Sequence, residues 1–347
     1  MMKTLHRKIL LTLTILYIAF VTIACSNQST ATEKEKDEVT TQSKKVPEKI
    51  VLGYQVSPNG ELLAKALGLL EKKYPDTKIE WVKFEAGRDV NNAIASGSID
   101  FGLVGTPPAA IGIASKLPYK VYYLHDIIGE SEALVVKQDS EIQSLKDLKG
   151  KKIATTFNST SHFSLLGALK AEGMDPKKGN IQILDMQPPD IYAAWQRGDI
   201  DGAYIWQPMQ SKLVADNGKV IIHSGELAEK GIITAEMGIV RNDFVEKYPE
   251  IVEEYISILD ESVKYYHENP EKSAELLSTE LGLTPEKSLE TMKQIVWLDE
   301  SKQKEYYEGP LAETLKETAD YLVEQKSITN APDIKTFEQS LLQHPYQ

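Results

Sequence analysis

The hydrophobic pattern of residues 188–208 combines a short helix, a turn and a buried strand. Ile191, Ala194 and Trp195 recur at helical spacing, which predicts one apolar helix face that ends at an Arg-Gly-Asp turn. A short apolar run follows, typical of a strand covered on both faces. Because proline cannot continue a sheet, the strand should end before Pro208 and open into a loop. Open α/β sheets bind ligands at such strand ends.

The same pattern occurs earlier in the chain. Residues 90–107 align without a gap with residues 191–208. The matched positions are Ala93 with Ala194, Gly97 with Gly198, Ile99 and Asp100 with Ile200 and Asp201, and Pro107 with Pro208. The chain therefore contains one structural unit twice.

The flanking sequence extends each copy into a β-α-β-α-β unit. Strands, loops and helices alternate in both copies, which predicts parallel strands joined by helical crossovers and thus two α/β lobes. In the first copy we expect a strand at 49–52, a loop at 53–60, a helix at 61–74, a strand at 79–84 and a final loop at 105–108. In the second we expect a strand at 152–155, a loop at 156–160, a helix at 161–173 and a strand at 181–186.

Two further similar segments indicate how the lobes are joined. Residues 132–139 and 236–243 share the order acid, apolar run, cation, amide, aspartate, and they flank the second copy. We interpret them as two strands that cross between lobes and form a hinge. Helical patterns follow almost to the end of the chain and are assigned to the first lobe. The predicted domains are residues 48–136 and 236–347 for lobe 1, and 137–235 for lobe 2.

The N-terminal segment predicts export. Three cations precede an apolar stretch that ends at residue 24, which is typical of a signal peptide over residues 1–24. The only cysteine, Cys25, follows directly and resembles the lipidated cysteine of bacterial lipoproteins. Residues 25–47 are almost devoid of apolar side chains and predict a flexible tether. The net charge of −12 argues against a nucleic-acid partner.

The predicted strand ends bring polar side chains to one cleft. Ser159, Thr160 and Ser161 stand at a helix start, where hydroxyls and free amides can hold a sulfonate or carboxylate. The alternative is that Ser159 or Thr160 merely caps the helix. Thr106 offers a comparable donor in the other lobe.

Acids and one aromatic side chain add to this cleft. Glu132 and Glu236 begin the crossing strands, and either could pair with a ligand ammonium group, or both could be solvent-exposed acids. Trp206 could cover an aliphatic ligand or stack on a cation. A full aromatic cage is disfavoured, because the other tryptophans fall within predicted strands or helices.

Motifs for catalysis are missing from the sequence. It contains no H-E-x-x-H, G-x-S-x-G or P-loop motif and no dinucleotide-binding glycine pattern. His162 lies three residues after Ser159, but no third residue is evident to orient such a pair. We therefore expect no enzyme activity, no catalytic residue, no metal and no cofactor.

Three segments resemble the taurine-binding component of ABC importers: residues 131–137, 159–166 and 194–204, within a likeness from about 50 to 321. The resemblance implies a type II periplasmic-binding-protein fold that closes on an aminoalkanesulfonate. By position it implies that Glu236 meets the ammonium and that the pocket is lined by Gln55, Thr106, Thr160, Ser161 and Trp206. This chain departs from the family pattern at Thr106-Pro107, where two serines are usual, and at Glu236, where aspartate is usual.

The expected function is that of a monomeric, extracytoplasmic lipoprotein, anchored to the outer face of the cell membrane through Cys25. It would bind taurine or a related sulfonate and deliver it to an ABC permease. A receptor for nitrate or a thiamine-precursor pyrimidine is the same-class alternative, and an enzyme on this fold is the other. The expected ligand-binding residues are Gln55, Thr106, Glu132, Ser159, Thr160, Ser161, Trp206 and Glu236.

Overall fold

The computed structural model describes residues 46–343. The predicted signal peptide, Cys25 and nearly all of the predicted tether lie outside these residues. Within residues 46–343 no helix is both long enough and apolar enough to cross a bilayer.

The described chain alternates between strands and helices. The strands are β1 Lys49–Tyr54, β2 Lys78–Lys83, β3 Phe101–Gly105, β4 Tyr119–Ile127, β5 Glu132–Lys137, β6 Lys152–Thr155, β7 Gln182–Asp185, β8 Gly202–Trp206, β9 Gly218–His223, β10 Ala235–Arg241 and β11 Val296–Trp297. The helices are α1 Gly60–Leu67, α2 Leu69–Lys73, α3 Gly87–Ser96, α4 Thr106–Ala114, α5 Thr160–Ala171, α6 Pro188–Arg197, α7 Met209–Ala215, α8 Ser224–Ala228, α9 Asn242–Lys247, α10 Pro249–Glu268, α11 Pro270–Leu281, α12 Pro285–Met292, α13 Glu300–Tyr307, α14 Pro310–Glu324 and α15 Ile334–Ser340.

The strands form two sheets with corresponding orders. The first sheet runs β11-β4-β10-β3-β1-β2, and the second runs β7-β6-β8-β5-β9. In the first, β1 pairs in parallel with β2 and β3, while β10 is antiparallel to β3 and β4. In the second, β6 pairs in parallel with β7 and β8, while β5 is antiparallel to β8 and β9. Each sheet thus holds one inserted antiparallel strand, β10 or β5, at the same place in its order, and the edge strand β11 of the first sheet is also antiparallel to its neighbour β4.

The internal repeat is visible in the structure. Helices α3 and α6 both end at a glycine with positive φ, Gly97 at 72° and Gly198 at 73°, a conformation that glycine adopts without strain. Glu236 of β10 pairs with Gly105, and Glu132 of β5 pairs with Trp206. Gly105 and Trp206 are equivalent positions of the repeat, so the two glutamates are equivalent too.

The crossing strands differ from the prediction in one respect. Both form as strands, but β5 lies wholly in the second sheet and β10 wholly in the first. The connections between sheets are the segments before them, where the Ile128 amide donates to the Thr234 carbonyl at 2.9 Å. Residues 132–136, predicted for lobe 1, therefore belong with the second sheet, because their backbone hydrogen bonds go to β8 and β9.

Two local predictions were wrong. The helix expected at 61–74 is divided at Gly68, whose φ is 61°, into α1 and α2. The loop expected at 105–108 is instead the start of α4, with proline in its first turn. Proline is favourable there because the first helical amides have no intrahelical acceptor. The prediction also left out the strands β4, β9 and β11.

Apolar side chains cover both faces of each sheet. Ile50 packs in the core on one face of the first sheet, and the adjacent Val51 packs in the core on the other. Leu134 and Val135 alternate in the same way in the second sheet. Burial of each such side chain stabilises the fold by about 1.5–3 kcal/mol.

Candidate functional site

A narrow cleft lies between the ends of the two sheets. It receives residues from β3, β4, β8 and β10, from the loop after β1, from the start of α5, and from the connecting segment between β4 and β5. Its lining comprises Gln55, Ser57, Gly87, Gly105, Pro108, Asp126, Ile128, Ser131, Ser159, Thr160, Trp206, Glu236 and Ile295. No lysine or arginine is among these lining residues.

The N-terminus of α5 forms one side of the cleft. Ser159 caps the helix, since its hydroxyl accepts a hydrogen bond from the His162 amide at 3.2 Å. The same hydroxyl donates to the Thr156 carbonyl at 2.6 Å. The first turn of a helix presents amides without intrahelical acceptors and the positive end of the helix dipole. This side of the cleft can therefore hold an anion, although the Ser159 hydroxyl also serves as a cap.

Glu132 lies behind this helix end and is fully buried. Its carboxylate accepts hydrogen bonds from the hydroxyls of Thr160, Ser161 at 2.8 Å, Ser164 at 3.2 Å and Ser224 at 2.6 Å. Burial raises the pKa of Glu132, and the hydroxyls oppose that shift. Glu132 joins β5 to α5 and α8 and is not part of the cleft lining.

The opposite side of the cleft carries buried acids. Glu236 lines the cleft, and the Asn59 side-chain amide donates to its Oε2 at 2.9 Å. Burial raises the pKa of Glu236, while the hydrogen bond from Asn59 lowers it. Asp126 of β4 pairs with Glu236 of β10 and lines the same cleft. The sequence analysis missed Asp126, although a charged residue inside an apolar strand was a signal that could have found it.

The remaining predicted residues divide into two groups. Gln55 and Trp206 line the cleft, and the Gln55 side-chain amide donates to the Leu103 carbonyl at 2.8 Å. Thr106 is fully buried behind it, where its hydroxyl accepts from the Ala235 amide at 2.8 Å and donates to the Ala235 carbonyl at 3.1 Å. The structure therefore brings together Gln55, Ser159, Thr160, Trp206 and Glu236 in the lining, and places Thr106, Glu132 and Ser161 behind it.

Trp206 stands between this cleft and a wider outer one. The outer cleft is lined by Gln55 and Trp206 together with Phe84, Tyr192 and Met209. Trp206 thus lines both clefts, and the outer cleft also contains the charged side chains of Lys83, Glu85, Lys212 and Glu280.

Contacts bridge the two sides of the cleft. Arg88 at the start of α3 pairs with Asp185 at the end of β7 at 2.8 Å. The Gln187 side chain donates to Asp89 at 3.0 Å. Closer to the cleft, a Cβ built on Gly105 would lie 2.5 Å from Thr160 Cγ2, so the two backbones approach here as closely as only glycine permits.

The geometry does not indicate a metal centre. Among residues 46–343 no group of three or more His, Cys, Asp or Glu side chains is arranged to hold a metal ion. The chemical capacity of the cleft is to bind an anion at one end and a cation at the other.

The chain is similar in sequence to a family of known proteins and to a periplasmic binding protein. The family described as NMT1/THI5 like matches residues 60–273. The taurine-binding periplasmic protein of Escherichia coli (strain K12) is 37% identical over 285 residues, which cover 80% of this chain and 87% of that protein.

Solved structures agree with the fold. The periplasmic aliphatic sulphonate binding protein SsuA from Escherichia coli aligns with a TM-score of 0.68 and 27% identity over 84% of this chain and 92% of that one. The alkanesulfonate-binding protein SsuA from Xanthomonas axonopodis pv. citri, bound to MOPS, aligns with a TM-score of 0.72 and 24% identity over 85% of this chain and 98% of that one. These relatives are substrate-binding proteins and not enzymes.

The match over residues 60–273 and the extended identity to the Escherichia coli protein confirm the resemblance and the two-lobed fold expected from the sequence. The chain belongs to the NMT1/THI5-like family, as a homologue of periplasmic taurine- and sulfonate-binding proteins.

Proposed function

We propose that this protein is the extracytoplasmic solute-binding component of an ABC importer and that it binds taurine or a closely related aminoalkanesulfonate. The observation that carries the proposal is the polarity of the cleft, which has a helix N-terminus on one side and a buried carboxylate on the other. A zwitterion with an anionic and a cationic end matches both sides at once.

The sulfonate is assigned to the start of α5. Ser159 and Thr160 line the cleft there, and a sulfonate can accept several amide hydrogen bonds from the first helical turn. Because Glu132 engages the Thr160 and Ser161 hydroxyls, their part in the site is to fix the helix end. The backbone amides of this turn then bind the anion.

The ammonium group is assigned to Glu236. This carboxylate is buried in the lining, and no lysine or arginine shares the lining with it. A buried charge is costly unless it is paired, so a cationic ligand stabilises the ionised carboxylate. A nitrate ion would bring a second negative charge toward the same acid, and this argues against the nitrate alternative.

Binding requires no covalent step in this proposal. The second sheet moves against the first about the connecting segments near Ile128 and Thr234, and the cleft closes on the ligand. Trp206 covers the aliphatic part of the ligand. The closed receptor acts as a monomer and delivers taurine to its permease, while lipid on Cys25 holds it at the outer face of the membrane.

Calorimetry tests this proposal directly. The purified full chain is titrated with taurine, ethanesulfonate, nitrate and a thiamine-precursor pyrimidine. We expect taurine to bind with the highest affinity. Absence of heat with every sulfonate would refute the function, and preferential binding of the pyrimidine or of nitrate would establish the corresponding alternative.

Lipid attachment is tested separately. Cys25→Ser should release the exported protein from the membrane fraction without changing its affinity for taurine. Retention of the variant in that fraction would contradict the anchor.

A further inference from the structure

We propose that Asp126 is the second carboxylate of the ammonium site and that the pair Asp126 and Glu236 makes the cleft selective for primary-amine sulfonates over sulfonates without an amine. This inference rests on the proposed function and deepens it. No sequence motif marks Asp126, because the site forms only when β10 inserts between β3 and β4.

The position of Asp126 supports the assignment. It lies on β4 opposite Glu236 on β10, and both side chains line the cleft. Asp126 is only 1% exposed. Within residues 46–343, neither of its carboxylate oxygens accepts a well-formed hydrogen bond, and the polar groups that act on them are the carboxyl group and backbone of Glu236. A buried carboxyl is rarely left without a donor, so this one is suited to a donor that the ligand brings.

The charged groups that act on Asp126 are acidic. Burial raises its pKa well above the ordinary 3.8, and Glu236 and Glu132 raise it further. The lining holds no lysine or arginine to compensate.

A primary ammonium group fits this arrangement. It carries a positive charge and three N–H donors, so one donor can reach Asp126 and another Glu236. Asn59 already donates to Glu236 Oε2, which fixes that carboxylate in place. Ethanesulfonate has hydrogen in place of the ammonium group, so it brings no donor to Asp126 and no positive charge to the pair, and the site then discriminates strongly against it.

Proton release follows from the same geometry. In the free protein the raised pKa values keep protons on the pair at pH values above the ordinary carboxyl range. The ammonium charge lowers both pKa values, so taurine binding expels protons and weakens as the pH falls. Ethanesulfonate brings no such charge.

The test compares two ligands and three variants of the full chain. Asp126→Asn should lower taurine affinity roughly 10- to 100-fold, the loss of one charge-assisted hydrogen bond, and leave ethanesulfonate affinity unchanged or higher. Glu236→Gln should act in the same direction. Glu61→Gln is the matched control, since this buried acid lies outside the lining, and it should leave the ratio of the two affinities unchanged.

Each result has a distinct meaning. An unchanged taurine-to-ethanesulfonate ratio in Asp126→Asn, or an equal loss for both ligands, would overturn the role of Asp126 and leave the proposed function standing. Failure of the unsubstituted chain to bind any sulfonate would refute the proposed function itself.

A second measurement does not depend on the folding of a variant. Titration of the unsubstituted chain in buffers of different ionisation enthalpy reports the protons released on binding. We expect release with taurine and none with ethanesulfonate. Release of the same number of protons with both ligands would contradict the assignment of Asp126 and Glu236 to the ammonium site.

Discussion

The close approach of Gly105 to Thr160 across the cleft gives a sharp test of closure. In Gly105→Ala the new methyl would lie 2.5 Å from Thr160 Cγ2. Carbon atoms in contact prefer about 3.5–4.0 Å, so one side must retreat by roughly 1–1.5 Å. Such overpacking costs about 1–3 kcal/mol.

The cost of this clash should reduce the free energy of ligand binding and leave the free energy of folding nearly unchanged. Gly105 belongs to β3 of the first sheet and Thr160 to α5 on the second, so a small opening of the cleft relieves the clash. The expected loss of taurine affinity is then roughly 5- to 150-fold. The melting temperature without ligand should change little.

A compensating change isolates the contact. Thr160→Ser removes Cγ2 and keeps the hydroxyl that donates to Glu132. The double variant should recover most of the affinity lost in Gly105→Ala, and Thr160→Ser alone should bind nearly as well as the unsubstituted chain. Calorimetry and thermal unfolding are carried out on all four proteins. Full affinity in Gly105→Ala, or a lowered melting temperature with no rescue by serine, would refute the reasoning.

Three further results are expected. Burial raises the pKa of Glu61 from 4.5 to about 8, so the folded state should become less stable as the pH rises between these values. In urea unfolding at pH 9, Glu61→Gln should be more stable than the unsubstituted chain by at most about 5 kcal/mol. At pH 4 the variant should have no such advantage. Stability that is equal in both proteins at pH 9 would contradict this. Arg88→Met should lower taurine affinity roughly 2- to 5-fold at low salt and less at high salt, because salt screens the half-exposed ion pair between Arg88 and Asp185. Titrations with taurine at two ionic strengths measure this, and a loss of affinity that does not depend on salt would contradict the role of the pair. Trp206→Ala should weaken taurine and ethanesulfonate alike, roughly tenfold or more, since it removes apolar cover; selective loss of one ligand in calorimetry would contradict a covering role.

Much of the architecture could be predicted because it follows from local patterns. The gapless repeat ending at Pro107 and Pro208, and the two matched strands beginning near Glu132 and Glu236, depend only on sequence spacing. The same spacing placed Glu132 and Glu236 at equivalent positions, as the strand pairing confirms.

The division of roles between these glutamates could not be predicted. Both strands are buried on both faces, so polar and apolar positions do not alternate and the sequence does not tell which face a side chain occupies. Glu132 meets the hydroxyls of α5 and α8, whereas Glu236 lines the cleft. Asp126 was missed because its neighbours are set by the pairing of strands far apart in sequence.

The placement of β5 and β10 has a consequence for how the chain acquires its structure. All strands of the second sheet lie within residues 132–223, so this half can fold as one continuous segment. The first sheet needs residues 235–241 between β3 and β4, and until they arrive both inner edges lack a partner. The half that begins the sequence should thus be the last to form, and a chain shortened before residue 235 should aggregate through those edges while a fragment spanning the second sheet stays soluble.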